Sequence, residues 1–491
     1  MKRSVIHSLG RLLLAILLAA PLLSRAAGKP NVLFIFADDM CYEAVGAMGL
    51  TDIDTPNLDR LMKRGTTFTR AYNMGSWSGA VCVASRHMLI TGRYIWRAQA
   101  ASNLLGSNKA DAAAKQKEFD GLWPQVLKRQ GYQTFFTGKW HIRASAEKAF
   151  EVARHVRPGM PRQNAEGRRV GYNRPLPGKP DVWSPSDKKY GGFWEGGKHW
   201  SEIVADDAVD FLGMSAKDKR PFFMYIAFNA PHDPRQAPKE YVDRYPLKRI
   251  ALPKNFLPQY PYKDQIGNPH RLRDERLGPM PRTEHSVKVH RREYYAIIEH
   301  LDAQIGRILD TLDKSGQADN TYIFFSADHG LAVGHHGLFG KQNLYEHSTR
   351  VPFIAVGPRI AAGVKIDAPI YLQDVHPTTL ELAGAKPADK VEFHSLFPML
   401  RGKTKKHAYD AIHGAYLGLQ RSVTVDGWKL ILYPAVNKAR LYNINADPLE
   451  MNDLAHDAKQ EKRINALFAR MLKLQKEMDD KLDLKKSFPK L

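Results

Sequence analysis

Only two cysteines, Cys41 and Cys82, occur in 491 residues. That scarcity excludes a disulfide framework and a multi-cysteine zinc site. No long apolar run follows the first 26 residues, which excludes a multi-span membrane protein. Internal repeats and low-complexity blocks are missing as well. Acids are few relative to bases: 51 Asp and Glu against 73 Lys and Arg, a formal charge of +22. Apolar material is plentiful. With 43% hydrophobic and 10% aromatic residues the chain can bury a large core and is not mainly disordered. Its length suits about three domain-sized units, or one large core and a small companion.

Lys2, Arg3 and Arg11 flank the apolar run Leu12 to Leu23, and Ser24-Arg25-Ala26 puts small residues where a signal peptidase reads. This pattern predicts a secretory signal peptide over residues 1–26, export to the periplasm or beyond, and no membrane span after cleavage. Cleavage takes away Lys2, Arg3, Arg11 and Arg25 and no acid, so the formal charge falls from +22 to +18. A field of that sign draws polyanions. No helix-turn-helix, zinc-finger or RNA-binding pattern is present, so nucleic acid is not an expected partner. A sulfated or carboxylated polysaccharide is the other candidate; a basic surface that only aids solubility is the plain reading.

Four apolar runs each end in a polar cluster. Val32 to Ala37 leads into Asp38-Asp39, and Thr134 to Thr137 into Gly138-Lys139-Trp140-His141. Phe222 to Phe228 leads into Asn229-Ala230-Pro231-His232, and Tyr322 to Ala327 into Asp328-His329-Gly330. Continuous apolar runs suit strands buried on both faces of a parallel sheet. Helical patterns at 123–130, 202–212 and 294–312 lie between them. The alternation predicts an α/β fold with a large mixed, mostly parallel sheet flanked by helices over residues 27–404. In such folds ligands bind beyond the carboxyl ends of the strands, so one pocket can collect all four clusters. Residues 143–200 and 252–292 read as inserted, substrate-facing loops. After residue 405 the pattern changes. Ser422 to Val425, Asp426-Gly427 and Trp428 to Tyr433 read as a hairpin, Arg440 to Ile444 as a further strand, and 458–481 as an amphipathic helix. A small antiparallel sheet plus helix is therefore expected over 405–491.

Asp38 and Asp39 are adjacent acids at the end of a buried strand, where two carboxylates repel unless a cation sits between them. Asp328 can close the same site, with His329 as a further ligand; hard divalent cations want several such oxygens. Cys82 opens a run that reads as a loop entering a short helix, with Arg86 four residues on along the same face. Taken alone, Cys82 is equally a small buried hydrophobe or half of a Cys41–Cys82 disulfide.

The frame Cys82-x-Ala84-x-Arg86, ending in Thr91-Gly92-Arg93, resembles the signature of the type I, formylglycine-dependent sulfatases of the alkaline phosphatase superfamily. The likeness continues through Asp38-Asp39, Gly138-Lys139-Trp140-His141, Pro231-His232, Asp328-His329-Gly330, Lys341 and Tyr345 to Pro352. It ends in Leu441-Tyr442-Asn443-Ile444, Asp447-Pro448 and Asn452-Asp453-Leu454. Each motif is common; the ordered set is specific. Ala84 stands where many members have Pro, and His329 where many have Asn.

The resemblance implies that a maturation enzyme oxidises Cys82 to formylglycine, whose hydrate supplies one hydroxyl to attack sulfur and a second to expel sulfate. It implies a Ca²⁺ ion on Asp38, Asp39, Asp328 and His329. Arg86 would fix the modified residue, and Lys139 and Lys341 would clamp the sulfate oxygens. His232 would protonate the leaving alcohol oxygen, and His141 would take the proton that releases sulfate. The expected substrate is a sulfated glycan or small sulfate ester. Arg143, Arg168, Arg169, Lys198, His199 and Trp200 are candidate sugar contacts; His335 and His336 read as loop residues. Two other readings remain open at this point: a phosphomonoester or phosphonate hydrolase of the same superfamily, and a non-catalytic polyanion-binding protein.

Overall fold

The four apolar runs become the middle of one sheet. The computed structural model describes residues 28–386, 390–403 and 408–491. The expected signal peptide at 1–26 and the expected boundary at 404/405 lie outside the described residues. The large sheet contains β1 (Asn31–Ala37), β2 (Thr66–Phe68), β3 (Gln133–Lys139), β4 (Val152–Arg157), β5 (Phe222–Ala227), β6 (Thr321–Ala327), β7 (Phe353–Val356) and β8 (Val364–Ile366). Its strand order is β8-β2-β7-β6-β1-β5-β3-β4. β1 lies parallel between β5 and β6, and β3 and β4 continue the parallel run. Only β7 runs against its neighbours. Every residue of β1, β3, β5 and β6 is buried, as expected of central strands covered on both faces, including the polar residues of β3 and β6.

Five helices matter for the site: α1 (Val81–Thr91), α2 (Trp123–Arg129), α3 (Trp200–Ser215), α4 (Glu284–Lys314) and α5 (Glu461–Glu477). α3 packs on β3, β5 and α4, and α2 on β3 and α1. Residues 284–292, expected as part of an irregular insert, are the first turns of α4. Thr283 caps them by accepting the Ser286 backbone N–H at 3.1 Å. The 143–200 segment likewise departs from a pure loop. Its residues 152–157 add the edge strand β4, which basic alternation (Val-Ala-Arg-His-Val-Arg) concealed.

The C-terminal sheet forms as expected from β9 (Ile412–Tyr416), β10 (Gln420–Val425), β11 (Trp428–Tyr433) and β12 (Lys438–Asn443), all antiparallel. Asp426 and Gly427 both hold positive φ in the hairpin turn (48° and 79°). One member was not foreseen. Gly75–Ser76, just ahead of α1, pairs parallel with Ala415 and Tyr416 of β9. The sheet that closes the chain thus grips the segment that carries Cys82. Among the described residues, no helix is long and apolar enough to cross a membrane.

Candidate active site

All four polar clusters lie at or just beyond the carboxyl ends of β1, β3, β5 and β6, which are neighbours in the sheet. The Asp38 N–H donates to the Ala230 carbonyl at 3.0 Å, and the Asp328 N–H to the Ala37 carbonyl at 3.2 Å, so the loop after β5 and the end of β1 hold the two acids. Asp39 turns out of the strand at φ 65°. Tyr294 of α4 pins that turn: its hydroxyl donates to the Asp39 carbonyl at 2.6 Å and accepts the Cys41 N–H at 3.0 Å. Lys139 is aimed by an irregularity between Thr137 and Gly138 in the β3–β4 pairing. Gly138 has φ 95°, and a Cβ there would sit 1.9 Å from the Ala227 carbonyl oxygen, so no other residue fits.

Cys82 is the second residue of α1 and almost fully buried. Its Sγ lies 3.2 Å from Asp38 Oδ1, 3.6 Å from Asp39 Oδ1 and 3.2 Å from Lys341 Nζ. Cys41 and Cys82 are both free, which sets aside the disulfide reading. Lys139 bonds Asp38, and Lys341 bonds Asp39 Oδ1 at 2.6 Å. Arg86 donates through Nε to Asp328 Oδ2 at 3.0 Å and through Nη1 to the Lys139 carbonyl at 2.7 Å, with its guanidinium 5.1 Å over the Phe36 ring. Asp328 Oδ1 accepts the Asp39 N–H at 3.0 Å. Three carboxylates and three fixed cations therefore interlock around one sulfur.

The charges set the protonation states. Burial pushes the Cys82 thiol well above its ordinary value, and Asp328, Asp38 and Asp39 push it further. It stays a thiol, a weak nucleophile. Burial also raises Asp38, but Lys139, Arg86 and Lys341 outweigh it and hold that carboxyl below its ordinary range. Asp39 is pushed up to about 7 by burial; Lys341 lowers it, while Asp38 and Asp328 repel its charge. A surplus of close carboxylate oxygens is a donor set that suits a hard divalent cation.

The tightest donor group comprises Asp38, Asp39, Cys82 and His232, whose ligand atoms all lie within 4.8 Å of one another. His232 joins it unforeseen, with Nε2 3.6 Å from Asp39 Oδ2. The expected ligands Asp328 and His329 do not, although His329 Nδ1 donates to the Gly330 carbonyl at 3.0 Å and leaves Nε2 as the unprotonated nitrogen of the neutral ring. His232 is arranged the same way, its Nδ1 bonded to the Asp233 carbonyl at 2.7 Å. Burial, then Lys341, Lys139 and Arg273, hold His232 neutral. His141 is pushed down to about 2 by burial, then by Lys139 and Arg86, and its buried Nδ1 has no partner among the described residues. It shares the wall of a cleft of about 750 Å³ with Ala80 and Val83, which flank Cys82, and with Trp77 and Arg143.

The family described as Sulfatase matches residues 30–385, and the C-terminal N-sulphoglucosamine sulphohydrolase family matches 334–477. The chain belongs to the sulfatase family. Its members are sulfuric ester hydrolases, and this sulfatase is an enzyme of that kind. A protein named sulfatase from Formosa agariphila is 30% identical over 90% of this chain and 86% of its own length. An N-acetylglucosamine-6-O-sulfatase from Bacteroides thetaiotaomicron is 26% identical over 92% of this chain and 87% of its own. A solved structure described as a complex with its substrate D-glucosamine-2-N,6-O-disulfate shares the fold, with a TM-score of 0.71 and 23% identity over 92% of this chain and 99% of that one.

Several supporting residues carried no sequence signal. Asn73 ties the site together: its amide bonds the Asp328 carbonyl and its Oδ1 accepts the Gly75 N–H at 2.6 Å. Tyr294 and Arg273 also escaped notice. Two proposed sugar contacts fail. His199 is fully buried, where it caps α3 by accepting the Ser201 N–H at 3.2 Å and donates to the Gln236 carbonyl at 3.0 Å. Trp200 is buried beneath Arg157, 3.6 Å above its ring. Arg168, Arg169 and Lys198 are exposed, with Arg168 bonded to the Gln163 carbonyl and Lys198 to Asp206. His335 sits in a loop as expected but pairs with the buried Glu43 at 2.9 Å; His336 stacks on Tyr345 at 4.2 Å.

Proposed function

We propose that this sulfatase is exported and removes sulfate from a sulfated carbohydrate, with Cys82 converted to formylglycine and one divalent cation, Ca²⁺ in type, held by Asp38, Asp39, Asp328 and His329. The observation that carries this reading is the placement of Cys82 Sγ within 3.2–3.6 Å of two carboxylates and an ammonium group. A thiol in that ring stays protonated, so a converted residue accounts for the site better than thiolate chemistry does. A hydrated formylglycine supplies two hydroxyls on one carbon, one to attack sulfur and one to release it. A bound divalent cation would neutralise sulfate charge and acidify the attacking hydroxyl. The carbohydrate reading draws on the N-acetylglucosamine-6-O-sulfatase relative and on the strongly basic chain.

The chain's own residues do the rest. Arg86, locked between Asp328 and the Lys139 carbonyl, fixes the start of α1. Lys341 touches Cys82 Sγ at 3.2 Å and Lys139 bonds Asp38 beside it, so both would meet the sulfate oxygens there. His232 presents an unprotonated Nε2 toward the same point. Burial first, then Lys341 and Lys139, keep it neutral; an arriving sulfate anion offsets the two lysines and so favours the proton it would give to the leaving oxygen. His141, neutral and with a free Nδ1, would accept the proton that releases sulfate.

The test is twofold. Mass spectrometry of the peptide holding Cys82, from the native host, should show its sulfur replaced by an aldehyde oxygen, and aryl sulfate should turn over faster than aryl phosphate. An intact thiol in active protein, or preferred phosphate turnover, would overturn the reading.

A further inference from the structure

Arg86, Lys139 and Lys341 are sealed from solvent, at 1–2% side-chain exposure, whereas a fourth cation beside them, Arg273, is 30% exposed. Arg273 belongs to the 252–292 segment. Its Nη2 lies 3.4 Å from His232 Nε2 and also bonds Asp274, with Asp233 Oδ1 3.5 Å away. Asp274 is held in turn by Gln342, the residue after Lys341. The guanidinium is thus fixed from the protein side.

Its other edge is lightly used. Nη1 faces the Met160 thioether, a weak acceptor, and Nε has no hydrogen bond to the described residues. Met160 belongs to the 143–200 segment, so the two segments meet at Arg273. Tyr172 of that segment lies part-exposed near this point, with Arg276 stacked 4.6 Å over its ring. This inference rests on the assignment of His232 to the leaving oxygen. On that assignment, Arg273 looks onto the alcohol half of the ester, while Lys139 and Lys341 serve the sulfate half. A planar guanidinium with spare N–H donors matches an oxyanion in two-point contact.

We propose that Arg273 is a specificity-determining residue that binds a second oxyanion, a sulfate or a carboxylate, on the sugar that bears the scissile sulfate. The preferred substrate class is then a dianionic sugar sulfate rather than a neutral monosulfated sugar.

The test compares three groups of substrates: monosulfated neutral sugars, the same sugars with a second sulfate, and the same sugars with a carboxylate. Wild-type enzyme should favour one dianionic group over the neutral one in kcat/KM, and the group favoured identifies which oxyanion Arg273 reads. Arg273→Gln should cut the ratio of dianionic to neutral kcat/KM at least ~10-fold, the scale of a lost charge-assisted contact, and Arg273→Lys should restore part of it. Calorimetric binding of the dianionic sugars to wild type and Arg273→Gln reads the same contact without turnover. A wild type with no preference, a ratio unchanged in Arg273→Gln, or equal binding by both proteins would overturn the proposal. Weakened binding in the variant, with no sulfate ester hydrolysed by matured wild type, would instead uphold Arg273 and sink the catalytic reading.

Discussion

Arg86 offers the sharpest quantitative test of how the site is held. Its guanidinium is buried, 3.0 Å from Asp328, 4.0 Å from Asp38 Oδ1 and 2.7 Å from the Lys139 carbonyl. Arg86→Ala leaves three buried carboxylates facing two cations. Orphaning one member of a buried ion pair costs about 3–5 kcal/mol, and the unpaired Lys139 carbonyl adds about 1 kcal/mol. Asp328→Asn alone should cost a similar amount, because it strands Arg86. The double variant should be less damaged than the sum of the two, with a coupling of about 2–3 kcal/mol, since neither charge is then stranded. Urea unfolding in chelator, followed by fluorescence, gives the three values with metal binding removed. Additivity within about 0.5 kcal/mol would refute the interlocked arrangement. Activity is lost in all three variants, so the unfolding data carry the test.

Four further outcomes are expected. Lys139→Ala and Lys341→Ala should each lower kcat on aryl sulfate by about 10²–10³-fold, the usual effect of removing one fixed donor at a developing charge; steady-state kinetics on matured protein checks it. Chelation should abolish turnover, and restoring Ca²⁺ at about 100 times its Kd should raise unfolding stability by about 2.7 kcal/mol; no shift in the unfolding midpoint would contradict the carboxylate set. Glu43 is raised by burial but drawn down overall to about 2 by His335 and Arg291. Its contribution is complete above its ordinary value of 4.5 and is lost as pH falls toward 2, about 3 kcal/mol in all; Glu43→Gln should flatten acid unfolding over that window. Gly138→Ala should fail to fold or lose activity, because its Cβ would meet the Ala227 carbonyl; a stable, fully active variant would show the close approach to be wrong.

Much of the fold could be read from the chain because buried parallel strands leave an unmistakable trace. Val32 to Ala37 is apolar at every position and Tyr322 to Ala327 at all but Ser326, and each stops at an acid. The convergence of those acids follows from strand order alone once the strands are parallel. What escaped was set by distant partners. β4 looks like a basic loop because an edge strand needs only one covered side. Tyr294, Asn73 and Arg273 sit at no recurring spacing, and their roles exist only where α4, the pre-α1 segment and the 252–292 segment are brought to the site. His199 and Trp200 were misjudged for the converse reason. An aromatic beside a basic run looks like a sugar platform until a helix cap and an overlying arginine claim it.

The pairing of Gly75–Ser76 with Ala415–Tyr416 has a temporal side. Every proposed catalytic group is translated by residue 341, yet the rail that seats Cys82 is completed only when the last sheet arrives. During synthesis about 330 residues separate Cys82 from Ile412, the first residue of β9, on the order of tens of seconds at ~5–20 residues per second. Over that stretch of synthesis the thiol is not yet enclosed; in the folded chain it is buried. A chain shortened before residue 412 would carry all the reactive groups and still lack the clasp that lines them up.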